Sequence, residues 1–217
     1  MQTRPTVLVL GATGRLGQSA VTAFARAGWR VLAQQRKPTP HHPGVTCLHT
    51  DLADTAALAR QAGGARAVVY GVNPAYHRWD RELLPLAELG MDLAERLQAS
   101  FLLPGNVYGF GPAMPTLLQL GTPQPGGTVK GRQRLALEGA LQRRVEAGRL
   151  RGVVIRAGDF YGSGRGNWFD EAIVKDIAKG RLVYPGPLDR PHAWAYLPDL
   201  AQAFVAAAGR AADGQAP

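Results

Sequence analysis

Cysteine is nearly missing from this chain. Cys47 stands alone among 217 residues, which excludes an internal disulfide and fits a reducing compartment. It reads as a small buried side chain on a strand, and Cys47 and His49, two apart on one face, read as a core pair rather than as metal ligands. Around His41-His42 nothing offers ligand spacing, so that dipeptide reads as a polar turn. Long apolar runs are lacking too: none approaches the ~18 residues that a membrane span requires. Residues 1–5 run straight into an apolar segment, leaving no room for a signal peptide, so the expected location is cytoplasmic. Acidic side chains are scarce, 16 against 25 basic ones, giving a net charge of +9. The cations are mostly arginine and scattered, and no groove-reading motif accompanies them. The expectation is a basic surface that attracts small anionic ligands, with no nucleic-acid or membrane partner.

What is present is an alternation of apolar strands and amphipathic helices. Strands are expected at 6–10, 29–35, 45–49, 67–71, 100–103 and 152–156. Helices are expected at 15–27, 54–61 (with Asp54 as N-cap), 79–98, 131–146, 167–178 and 198–208. Leu83, Leu86, Leu89, Leu93 and Leu97 mark the apolar face of the longest helix. This rhythm argues an α/β fold, a doubly wound parallel sheet of Rossmann type, within one domain over 1–217. The segment 209–217 reads as a flexible tail. Long loops at 36–44 and 105–127 follow strand ends, where functional rims are built.

The segment Gly11-Ala12-Thr13-Gly14-Arg15-Leu16-Gly17 lies between the first strand and the first helix. A strand, a three-glycine turn and a helix N-terminus make a phosphate cradle: the glycines permit close approach, and the helix end supplies N–H donors and a positive dipole. The second strand ends on Gln35 where an acid would bind the ribose of NAD, and Arg36 and Lys37 follow. A neutral residue followed by cations suits a ribose 2′-phosphate, with Arg15 as a second candidate to reach it, so NADP(H) is preferred over NAD(H).

The G-x-x-G-x-x-G spacing with Ala-Thr-Gly inside it resembles the short-chain dehydrogenase/reductase superfamily, in particular its extended and atypical branches. Three further segments, in order, resemble the NAD(P)-dependent epimerase/dehydratases: Asn106-Val107-Tyr108-Gly109, Arg156-Ala157-Gly158-Asp159-Phe160-Tyr161-Gly162, and His192 to Ala201. The resemblance implies that Asp51 accepts from the adenine amino group, with Leu52 packing on the base; the alternative for Asp51 is a turn cap. It implies that Val72 and Asn73 line the diphosphate and ribose. It also implies a nucleotide sugar or other small hydroxyl or carbonyl substrate and a homodimer; family members usually continue well beyond Asp199-Leu200-Ala201, so the C-terminal substrate lobe is expected to be small or truncated here.

The resemblance breaks at the catalytic positions. Pro104 stands where the family carries Ser or Thr, and Lys130 and Arg134 stand at the Tyr and Lys of Tyr-x-x-x-Lys. Arg134 can bind ribose or phosphate. Lys130 can act as a base only if burial or a neighbouring cation depresses its pKa. Tyr108 either supplies a hydroxyl or packs, and Asn106 and Asp159 are close by in the motif. Trp79, Trp168 and Trp194 either wall a cleft or fill the core, while His77 and Arg78 lie at a substrate approach or on the surface. The expected function is an epimerase/dehydratase-like oxidoreductase with a non-standard catalytic set, Lys130, Arg134 and Tyr108; the alternative is a non-catalytic NADP(H)-sensing or regulatory protein.

Overall fold

A computed structural model describes residues 4–37, 43–162 and 166–212. His41-His42 and most of the C-terminal tail lie outside the described residues. The strands β1 (Thr6–Leu10), β2 (Arg30–Gln34), β3 (Thr46–Leu48), β4 (Ala65–Tyr70), β5 (Ser100–Gly105) and β6 (Arg151–Arg156) form one parallel sheet in the order β3-β2-β1-β4-β5-β6. The direction of winding reverses between β1 and β4, and the crevice at such a reversal, beyond the carboxyl ends of the strands, is where doubly wound sheets bind ligands.

Strand alternation sorts the core into two layers. Leu8, Leu10 and Leu32 point to one face, where α2 (Thr55–Gln61), α3 (Trp79–Leu97) and α4 (Val129–Glu146) cover them with Leu58, Leu83, Met91 and Leu137. Val7, Val9 and Val31 point to the other, under α1 (Arg15–Arg26) and α5 (Leu197–Ala212), which contribute Phe24, Leu200 and Phe204. Every residue of β1 is buried, as a central parallel strand requires. Arg144 of α4 clamps α3 through Asp92 (2.6 Å) and Glu95 (2.9 Å).

Element positions follow the expected pattern closely, with three exceptions. Cys47 is only half-buried and His49 is exposed, so they form no core pair; β3 is the sheet edge and only Leu48 of that segment is buried. The expected helix at 167–178 is a π turn (Phe169–Ile173) followed by a short 3-10 turn (Ile177–Lys179) ending at Gly180, φ +69°. Phe169 is drawn onto the rings of Tyr161 and Trp194 instead of a sheet face, so tertiary packing overrides the helical periodicity. Finally, β7 (Asp159–Tyr161) and β8 (Trp194–Tyr196) pair in parallel as a second, two-stranded sheet. This small C-terminal lobe stands over the carboxyl edge of the main sheet. Among the described residues no helix is long and apolar enough to cross a membrane.

Candidate functional site

The glycine turn is built by close packing of backbone on backbone. Gly11 has φ +66°, and a Cβ there would lie 2.9 Å from the carbonyl oxygen of Gly71. Its N–H donates to Gln34 Oε1 (3.1 Å), whose amide nitrogen donates in turn to the Thr50 carbonyl (3.0 Å). Gln34 thus ties the turn to β2 and to the segment after β3. Gly14 N–H donates to the Gly11 carbonyl (3.0 Å), and Gly14 opens α1 without a side-chain cap. A Cβ on Gly17 would lie 2.7 Å from Ala12 Cα and closer still to the Gly11 carbonyl oxygen. A Cβ on Gly71 would meet the Leu10 carbonyl at 2.7 Å. Only glycine lets the turn, the helix start and the end of β4 converge here.

From this turn a cavity of about 540 Å³ runs along the carboxyl edge of the sheet into the small lobe. At one end are Gly14, Arg15, Leu16 and, after β4, Gly71, Val72 and Asn73. Its middle is the end of β5, with Pro104, Asn106 and Tyr108, and Arg134 from α4. The far end holds Asp159, Trp168 and His192. A single cleft of this size, mostly apolar with a few convergent polar groups, has the form of a small-molecule site.

The arrangement fits a dinucleotide. The glycine turn has no room for a side chain where a diphosphate would lie, and Arg15 Nη1, in the same turn, is buried without a partner. Buried Gln35 occupies the acid position at the end of β2, and Arg36 is exposed beyond it. Asp51 caps its own turn, accepting from Ala53 N–H through Oδ1 (2.8 Å), while Leu52 is buried. Thr13 is exposed, and Thr13, Arg36, Asp51 and Leu52 stand outside the cavity wall.

At the catalytic positions, Pro104 lies beyond the last β4–β5 pair at Leu102, where its missing N–H breaks no bond to β4. Arg134 is 6 % exposed and donates through Nη2 to the Pro104 carbonyl (2.6 Å), leaving Nε buried without a partner. Burial pulls its guanidinium pKa down, and Glu138 opposes that. Lys130 is exposed, is not part of the cavity wall, and sits 3.9 Å from the centroid of the Tyr76 ring. The Tyr76 hydroxyl is 3.3 Å from that of Tyr108. Burial, followed by the contact with Tyr76, pushes the Tyr108 phenol well above its ordinary range, so it stays protonated. Of the tryptophans, Trp79 and Trp168 line the cleft and Trp194 stands behind, whereas His77 and Arg78 are exposed and away from it.

A further constellation lies at the far end of the cleft. His192 Nε2 lies 2.8 Å from Asp159 Oδ2, and its Nδ1 lies 2.6 Å from the Tyr184 hydroxyl. The imidazole stacks on Trp194 (4.4 Å between centroids) and against Trp168 (5.4 Å). The β7–β8 pairing brings this about by placing Asp159 beside Trp194. Asp159 and His192 fall within recognisable motif segments; for Tyr184 no sequence signal exists.

Residues 3–88, the stretch from β1 into α3, match the NmrA-like family. The chain superimposes on UDP-glucose 4-epimerase from Brucella ovis in complex with NAD (TM-score 0.78, 20 % identity), covering 97 % of this chain and 75 % of that one. It has the fold of the extended short-chain dehydrogenase/reductases. UDP-N-acetylglucosamine 4-epimerase from Bacillus cereus (TM-score 0.79, 17 % identity, 95 % and 72 % covered) is similar to the same extent. So is dTDP-glucose 4,6-dehydratase from Bacillus anthracis in complex with NAD (TM-score 0.77, 12 % identity, 94 % and 71 % covered). No curated protein matches the sequence. The epimerase/dehydratase-like fold carries the glycine turn here, with Pro104 and Lys130 at the positions where the resemblance places Ser and Tyr. Among the described residues no cluster of His, Cys, Asp and Glu is disposed to hold a metal.

Proposed function

We propose that the protein binds NADP(H) across the carboxyl edge of its sheet and acts as an epimerase/dehydratase-like oxidoreductase on a small hydroxyl- or carbonyl-bearing substrate in the adjoining cleft. The observation that carries this is the single cavity joining the glycine turn to the polar groups of the small lobe. The adenosine half lies over Leu52 and Asp51, and Arg36 with Arg15 receives the 2′-phosphate, because Gln35 carries no charge to repel it. Gly14, Leu16 and Val72 flank the diphosphate, and Asn73 faces the ribose beside it. The bound dinucleotide supplies a hydride donor or acceptor.

The chain's own residues do the rest. Arg134, fixed on the Pro104 carbonyl, keeps Nε as a donor for a ribose hydroxyl. Tyr108, protonated and lining the cleft, donates a hydrogen bond to the substrate oxygen. Lys130 acts through Tyr76: its ammonium holds the ring whose hydroxyl meets Tyr108. The cofactor assignment is tested by thermal-shift titration with NADPH and NADH, on the natural chain and on Arg36→Ala. A larger shift with NADPH that falls to the NADH level in the variant is expected; equal shifts from both cofactors in the natural chain overturn it. The absence of the Ser and Tyr positions favours a second reading, an NADP(H) sensor. NADPH binding without consumption across a panel of carbonyl compounds and nucleotide sugars supports that reading, and steady turnover excludes it.

A further inference from the structure

The far end of the cleft differs in character from the cradle. Its described walls include Asp159, His192, Trp168, Phe160 and Asn167, and among the described residues the cations that line the cavity, Arg15 and Arg134, lie toward the glycine turn and the end of β5. Asn167 is engaged with Asp170 through both its amide groups. His192 has neither nitrogen to spare: Nε2 meets Asp159 and Nδ1 meets Tyr184. Trp194 and Trp168 hold its ring by stacking. Neither nitrogen of the imidazole is therefore free to hydrogen-bond a ligand. The ring positions Asp159, whose Oδ2 it occupies while the side chain stays 41 % exposed toward the cleft. A carboxylate fixed in this way is an acceptor for hydroxyl or ammonium groups and a repellent for phosphate. Trp168, 38 % exposed beside it, offers an aromatic wall for the face of a ring or for a cation.

We infer that this end of the cleft is the site of a small, unphosphorylated molecule bearing hydroxyl or ammonium donors, such as a free sugar, amino sugar or polyol, and that Asp159, set by His192 and Tyr184, selects against a nucleoside diphosphate. The inference rests on the dinucleotide reading of the cradle and narrows the substrate class within it. It separates this chain from the nucleotide-sugar epimerases whose fold it shares.

The test uses the full chain saturated with NADPH, so that the cradle is filled before the cleft is probed. A thermal shift with NADPH alone establishes saturation; its absence defeats the dinucleotide reading, and this inference with it. UDP is then titrated into the natural chain and into Asp159→Asn, which keeps an acceptor for His192 but removes the charge. Binding of UDP at least about tenfold tighter to the variant is expected from removal of a unit charge at this range. Equal affinities, or no binding to either, overturn the inference. In parallel, saturation-transfer NMR is run with a mixture of free hexoses, hexosamines and polyols beside UDP-glucose. Signal from an unphosphorylated member, lost in Asp159→Ala and reduced in His192→Phe with the NADPH shift retained, is the expected result. Signal from UDP-glucose alone, or from no compound, contradicts it.

Discussion

Gly11→Ala perturbs the one point where β1, the glycine turn and the end of β4 meet. Gly11 has φ +66°, so a side chain there costs about 1–2 kcal/mol in the left-handed region. The new Cβ would also lie 2.9 Å from Gly71 O and 3.1 Å from Val72 N, both backbone atoms that cannot swing aside. Relief of such overpacking costs about 1–3 kcal/mol. Moving Gly11 also endangers its bond to Gln34 Oε1 (3.1 Å), about 1 kcal/mol. The sum, about 3–6 kcal/mol, lowers Tm by about 6–24 °C in a chain of this size. Gly28→Ala is the control: φ is +81° but nothing lies within 4 Å of its Cβ, so only the backbone term, about 1 kcal/mol, applies. Differential scanning fluorimetry of both variants, with and without NADPH, separates the two terms. Gly11→Ala melts far lower and loses the NADPH shift, while Gly28→Ala melts a few degrees lower and keeps it. A Gly11→Ala protein that melts with Gly28→Ala and still responds to NADPH would refute the packing argument for the cradle.

Other consequences are open to simpler checks. Removing Arg144 leaves Asp92 and Glu95 without their shared partner, so Arg144→Met lowers urea stability by about 1–2 kcal/mol, less at high salt. Lys130→Met lowers stability by about 0.5–1 kcal/mol through the lost cation–π contact and leaves the NADPH affinity within about twofold, measured by calorimetry. Burial raises the Tyr70 phenol above its ordinary value of 10.0, so only the unfolded chain ionises there near that pH. The stabilisation is complete below pH 10.0 and is lost as pH rises, by about 1.4 kcal/mol per pH unit from this residue. Equilibrium unfolding across alkaline pH reads that slope, and Tyr70→Phe flattens it.

Much of the fold is legible in the residues because its central strands are continuous apolar runs bounded by glycine, and because α3 repeats leucine at helical spacing. The cradle is legible for the same reason: three glycines at fixed spacing between a strand and a helix have few other uses. The small lobe is not. Each strand of β7 and β8 is three residues long, and they pair across a stretch whose apolar residues satisfy rings instead of a sheet face. Periodicity therefore suggests a helix at 167–178 where packing dictates a π turn. The Asp159–His192–Tyr184 chain depends on that pairing and is invisible until Ala193 and Asp159 are adjacent. The role of Lys130 changes for a related reason: alignment places it at the tyrosine of the family motif, but its position on α4 sends its ammonium onto Tyr76, a residue of the cleft wall that Lys130 itself does not join.

In the proposed complex one dinucleotide spans from the glycine turn into the cleft walled by Trp79 and Trp168. Energy transfer from tryptophan to the dihydronicotinamide of added NADPH measures this directly. Saturable sensitised emission is expected, stronger with NADPH than with NADH at equal concentration and abolished in Gly11→Ala. A thermal shift without sensitised emission, or emission unaffected by Gly11→Ala, would contradict this placement.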